Sequence, residues 1–128
     1  MSHFSQIKTQ IRSLPALEAA LTDLGVPWQS GSQPVRGFHG QTQTADVVMP
    51  QANGYDIGFR WNGTEYELVA DLEFWQQAWS VDRFLSKVTQ RYAYHAVVQS
   101  ASEQGFQVQA EEQHSDGSVK LVLQRWRS

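Results

Sequence analysis

Residues 80–126 read SVDRFLSKVTQRYAYHAVVQSASEQG, from Ser80 to Gly105, then FQVQAEEQHSDGSVKLVLQRW, from Phe106 to Trp126. In the first part Val81, Phe84, Leu85, Val88, Tyr92 and Ala96 recur at the 3.6-residue spacing of a helix with one buried stripe. Asp82 falls in the first turn, where the helix dipole favours an anion, and Gly105 stops the helix after Gln104. In the second part Asp116-Gly117 is a hairpin turn. Centred there, the hairpin sets Phe106, Val108 and Ala110 beside Val119, Leu121 and Leu123. Gln107, Gln109, Glu111, Lys120 and Gln124 take the polar face. Trp126 falls on that polar side, which calls for a neighbouring element or partner to cover it.

An earlier hairpin carries the same signature. Asn62-Gly63 tolerates positive φ, and a two-residue turn there pairs Trp61 with Thr64, Phe59 with Tyr66 and Ile57 with Leu68. Tyr55, Ile57, Phe59, Trp61, Tyr66 and Leu68 then share one face. Asp56, Arg60, Glu65 and Glu67 share the other, with Arg60 opposite Glu65. Upstream, Ala45, Val47 and Met49 line one face of a strand that Pro50 stops. Residues 26–44 are rich in Gly, Ser, Gln and Pro and read as an irregular, mobile excursion with a short strand near Val35–Phe38. Leu14, Leu17, Leu21 and Leu24 form the stripe of a first helix, with Ser13 as its cap, Pro15 in its first turn and Gly25 at its end. Residues 3–11 fit both a helix and a strand, and the punctuation at Arg12–Pro15 favours the strand.

These elements make an α+β fold: one antiparallel sheet of five or six strands with two helices mainly on one face, in a single domain over residues 1–128. Hydrophobic residues are 41% of the 128, enough for a core, and the formal net charge of −3 argues against a nucleic-acid binder. The hairpin faces also lack the basic and stacking residues of an RNA-binding sheet. No cysteine is present, which excludes disulfides, thiolate zinc and a cysteine nucleophile. No apolar run reaches the roughly 20 residues of a membrane span, and Met1–Phe4 lacks the regions of a signal peptide. A soluble, cytoplasmic chain is the expectation.

The opening Ser2–Thr9, the helix segment Arg91-Tyr92-Ala93-Tyr94-His95, and the closing Gly105-Phe106, Asp116-Gly117 and Leu121–Trp126 carry a resemblance over nearly the whole chain. The chain resembles the hypothetical chloroplast frame thirty-five family of cyanobacteria and algal plastids. The resemblance implies a lineage and a cytoplasmic or plastid-stromal setting. It also points to a partner class, an acidic redox carrier such as a ferredoxin. It implies no reaction, and no catalytic residue comes with it.

No catalytic motif, metal-ligand spacing or phosphate loop stands in the sequence. His3, His39, His95 and His114 have no partner at helical spacing. His95, one turn from Tyr92, reads as a core histidine held by one hydrogen bond. Arg36 and His39 would meet an anion only if their loop folded back. Phe74, Trp75 and Trp79 read as a cover for the sheet, or else as the wall of a pocket shared with Tyr92 and His95. The sharper feature is Arg83, Lys87 and Arg91, successive i, i+4 neighbours, with Tyr94 and Val98 beside them. A basic stripe next to an aromatic and an aliphatic residue suits docking of an acidic protein, although a plain water-facing flank carries the same residues. The leading expectation is a protein-binding module without a cofactor. The alternative is an enzyme or cofactor binder built on His95, Tyr92, Trp75 and Trp79.

Overall fold

The computed structural model describes residues 4–37, 42–116 and 118–125. The order is β1 (Ser5–Lys8), α1 (Leu14–Asp23), β2 (Gln29–Arg36), β3 (Thr42–Met49), β4 (Ile57–Trp61), β5 (Tyr66–Ala70), a 3₁₀ turn (Leu72–Phe74), α2 (Val81–Glu103), β6 (Phe106–Gln113) and β7 (Val119–Arg125). β1 to β5 form one antiparallel sheet in the order β1-β5-β4-β3-β2, while β6 and β7 pair as a separate two-stranded ribbon. The α+β class stands. The sheet takes five strands, and the terminal hairpin follows α2 instead of joining it.

Local chemistry starts and stops the helices. The Ser13 hydroxyl accepts from the Ala16 N–H, Pro15 lies in the first turn of α1, and Gly25 closes it at φ 70°. Ser80 caps α2 by accepting from the Arg83 N–H, and Gly105 ends it at φ 85°. Leu17 and Leu21 of α1 and Phe84 and Val88 of α2 are fully buried against Val47, Met49, Ile57, Phe59 and Leu68. Both helices therefore lie on one sheet face. Val81, Leu85 and Tyr92 pack at the margin of this core. Trp75 and Trp79 pack there too, as covers. The opposite face holds a smaller cluster of Val35, Ala45 and Val48, with Phe4 against it. Ala45 thus parts from Val47 and Met49, with which alternation had grouped it.

Both hairpins turn differently from the two-residue expectation. In the first, Trp61 pairs with Tyr66, Arg60 with Glu67 and Phe59 with Leu68. Asn62 organises the loop through its own hydrogen bonds. Its side-chain oxygen accepts from the N–H groups of Thr64 and Glu65, and its own N–H bonds to the Glu65 carbonyl, which lengthens the loop. The shift is two residues, so every side chain keeps its face. Arg60 meets Glu67 at 3.7 Å in place of Glu65. In the terminal hairpin Asp116 Oδ1 accepts from the Ser118 N–H, and the ladder closes through His114 N–H to the Ser118 carbonyl at 2.9 Å. Gln113 then faces Val119 and Glu111 faces Leu121. A bulge between Val108 and Ala110 restores Val108 opposite Leu123. The one-residue slip moves Ala110 beside Val122 and carries Glu111 to the face of Leu121. Gly117 and Trp126 lie outside the described residues.

Residues 26–44 are more regular than their composition implies. β2 spans eight residues and pairs with β3, with a bulge between Ser30 and Gln33 where Gly31 sits at φ 93°. Polar composition misleads because β2 is an edge strand, with Val35 its one fully buried residue. Of the short strand expected near Val35–Phe38, Val35 and Arg36 belong to β2, and Phe38 is outside the described residues. Arg36 is no free anion receptor, since its guanidinium grips Asp56 with two bonds of 2.9 Å. Burial pushes the Asp56 carboxyl up, but Arg36 and the Gln51 N–H outweigh it, and the net shift is downward.

At Gly58 the sheet has no room for a side chain. A Cβ there would lie 2.7 Å from Val35 Cγ2 and 2.8 Å from Ala45 Cβ, and the latter is fixed to its backbone. Gly58→Ala is expected to cost about 1–3 kcal/mol through overpacking. A lower urea midpoint at unchanged slope checks this, and an unchanged midpoint contradicts it.

Candidate functional site

α2 carries every residue of the expected docking stripe, and the structure divides them. Arg83 is exposed at the first turn. Lys87 lies partly buried, with its Nζ 5.1 Å from the centre of the Trp79 ring. Among the described residues neither cation is held by an ion pair. Arg91 differs. It donates from Nε at 3.0 Å to one oxygen of Asp23, at the end of α1, and its Nη2 lies 2.8 Å from the same oxygen as an ion pair. It also lies over the Tyr94 ring at 4.5 Å. Tyr94 is partly buried, edge-on to His95 at 5.0 Å and close to the carboxylate of Glu111 in β6. Partial burial and the Glu111 carboxylate both push its phenol pKa up. Val98 is partly buried further along.

The residues of the alternative pocket go to different places. The Tyr92 hydroxyl accepts from the N–H groups of Arg12 at 3.0 Å and Ser13 at 3.3 Å, which ties α2 to the start of α1. His95 Nε2 lies 2.6 Å from Asp23 Oδ2, so this nitrogen carries the proton it donates to a carboxylate. Trp75 donates its indole N–H to the Trp79 carbonyl at 2.8 Å and meets Phe84 edge-on. All four side chains are engaged in holding linker, helix and core together. His114 stands beside Glu112 at 3.3 Å in the ribbon, and His3 and His39 are outside the described residues. Among the described residues no cluster of His, Asp and Glu gathers as a metal-holding set, and no helix is long and apolar enough to cross a membrane.

Two shallow grooves run between α2 and the ribbon. One, of about 240 Å³, is lined by Ala93, Tyr94 and Val97 with Val119 and Leu121. The other, of about 290 Å³, is lined by Ala96, Val97 and Ala101 with Phe106 and Leu123. Val97 is 45% exposed, Val119 36%, Val122 42% and Leu123 38%. Sequence reading missed Val97, although it lies one turn beyond Tyr94 on the same flank. It also missed Asp23, whose bonds to Arg91 and His95 span 68 and 72 residues and leave no local signal.

Comparison with known proteins gives the lineage. A family described as "Protein of unknown function (DUF1257)" matches residues 20–122. The chain belongs to this family. It is 51% identical over 99% of both chains to "Uncharacterized protein ycf35" of Guillardia theta. It is 43% identical over 98% of both chains to the protein of that name in Pyropia yezoensis, and 42% over 99% in Cyanophora paradoxa. No solved structure matches. The family lineage read from the Ser2–Thr9, Arg91–His95 and Gly105–Trp126 segments is therefore correct.

Asp23 is the hub of the site, and its charge is testable. Partial burial pushes its carboxyl up, but the bonds and charges of His95 and Arg91 outweigh it and hold it below its ordinary value of 3.8. A depressed carboxyl stabilises the fold above its unfolded-state pKa and loses that contribution as pH falls through the folded value. Asp23→Asn is expected to lower stability at pH 7 by about 1 kcal/mol, since both partners are partly exposed. The gap between variant and parent should close as the pH drops below 3.8. Denaturation curves at neutral and acid pH measure this, and a gap independent of pH contradicts it.

Proposed function

We propose that this protein is a small, non-catalytic docking module in the cytoplasm or plastid stroma, and that it receives an acidic protein on the basic end of α2. The observation that supports the reading is the separation of the stripe into two parts. Arg91 is neutralised by Asp23 within the molecule, while among the described residues Arg83 and Lys87 are in no ion pair, Lys87 resting over the Trp79 ring. Cations not neutralised by an internal carboxylate, on a chain of net charge −3, are suited to steering and orienting a negative surface. Tyr94 and Val98 continue the same flank and add apolar contact beyond the charges. An acidic redox carrier such as a ferredoxin is one partner of this chemistry. His95, Tyr92, Trp75 and Trp79 contribute by bracing α2 in place.

A charge-reversed variant, Arg83→Glu with Lys87→Glu, is expected to fold as the parent does, since Arg83 is exposed and Lys87 is only partly buried. Proteins retained from a native lysate by the parent and released by moderate salt should be absent with the variant. Identical retained sets for the two would remove the basic end of α2 as the docking surface.

A further inference from the structure

We propose that β7 is the contact edge of a symmetric homodimer, in which two copies join their ribbons into a four-stranded sheet with both α2 helices on one face. The proposal uses the apolar end of the α2 flank and is independent of the acidic-partner reading.

The edges of the molecule are not alike. β1 is four residues long and carries Lys8. β2 has a bulge at Gly31 and a proline at Pro34. β6 has a bulge after Val108 and carries Glu111 and Glu112. These are the usual devices that prevent strand addition. β7, Val119-Lys120-Leu121-Val122-Leu123-Gln124-Arg125, is regular, free of proline and, among the described residues, pairs with β6 alone. Every residue in it but Leu121 is exposed. A two-stranded ribbon is marginal in water and gains most from a third strand.

Register identifies the occupant. The bond from His114 N–H to the Ser118 carbonyl fixes the alternation, so Ser118, Lys120 and Val122 turn their backbone groups toward β6. Val119, Leu121 and Leu123 turn theirs outward. Antiparallel pairing of β7 with a second β7 about its midpoint, Val122, matches outward groups with outward groups. It sets Leu121 against the partner's Leu123, Lys120 against the partner's Gln124, and Val119 against the partner's Arg125. No like charges face each other, and β7 contains no carboxylate. The two-fold axis stands perpendicular to the sheet, so both helices lie on the same side. The partner's Val119, Leu121 and Leu123 then project toward the side on which the two grooves meet at Val97. One contact thus covers Val97, Val119 and Leu123 together.

The chain has no cysteine, which permits a clean test on the full-length protein. Val122 and its symmetry mate form a non-hydrogen-bonded pair about 4.5 Å apart between Cα atoms, within disulfide reach. Lys120 and its mate are offset by about 13 Å along the strands, beyond that reach. Val122→Cys should give a covalent dimer under mild oxidation at least about tenfold faster than Lys120→Cys. The parent should sediment as a dimer that dissociates on dilution. Val97→Glu should be monomeric with an unchanged circular dichroism spectrum. The Arg83→Glu, Lys87→Glu variant should keep the dimer mass, which separates this test from that of the acidic partner. A parent that stays monomeric up to about 1 mM overturns the proposal. So does a dimer in which Val122→Cys cross-links no faster than Lys120→Cys.

Discussion

Phe84 and Val88 anchor α2 in the core, and the rest of the molecule follows from how far that helix runs past them. Its 23 residues extend about 35 Å, whereas the five-residue strands β4 and β5 beneath it extend about 17 Å. Beyond Tyr92 no α2 residue packs in the main core. The remaining turns need another cover, and the β6–β7 ribbon supplies part of one. The partial fit explains why Val97, Val119 and Leu123 stay exposed between helix and ribbon. It also sets Val97 on the helix overhang, away from the five-stranded sheet.

The Asp23 carboxylate decides which charges on α2 are available. Lying at the end of α1, it draws in Arg91 and His95 together. Tyr94 packs against both and reaches Glu111 of the ribbon. Three elements, α1, α2 and β6, therefore meet at one electrostatic cluster. Part of the basic stripe becomes internal structure, and among the described residues the cations in no ion pair are those at the N-terminal end of α2.

Much of the fold was legible in short-range signals. Ser13, Gly25 and Gly105 act within one turn of the chain, and the alternation in β4 and β5 fixes faces whatever the loop length. Turn register was less legible, because Asn62 and Asp116 act through side-chain oxygens that accept backbone N–H groups and lengthen their loops. β2 was hidden because an edge strand needs only one buried residue and tolerates Gly31 and Pro34. A hairpin pattern also does not say which sheet a hairpin joins, so the independence of the ribbon came from the length of α2. At the site, the i, i+4 spacing showed the cations but not which of them a distant carboxylate would neutralise.

β1 pairs with β5, setting Ser5 against Ala70, while α1 carries the chain from that edge toward β2 at the other. β1 therefore has no partner until β5 has been synthesised. At roughly 5–20 residues per second, the wait is about 3–13 seconds. During that interval Ile7 has no neighbouring strand, although the leucines of α1 can already meet β3 and β4. Vectorial synthesis thus leaves the outer strand of the sheet waiting while its centre is laid down.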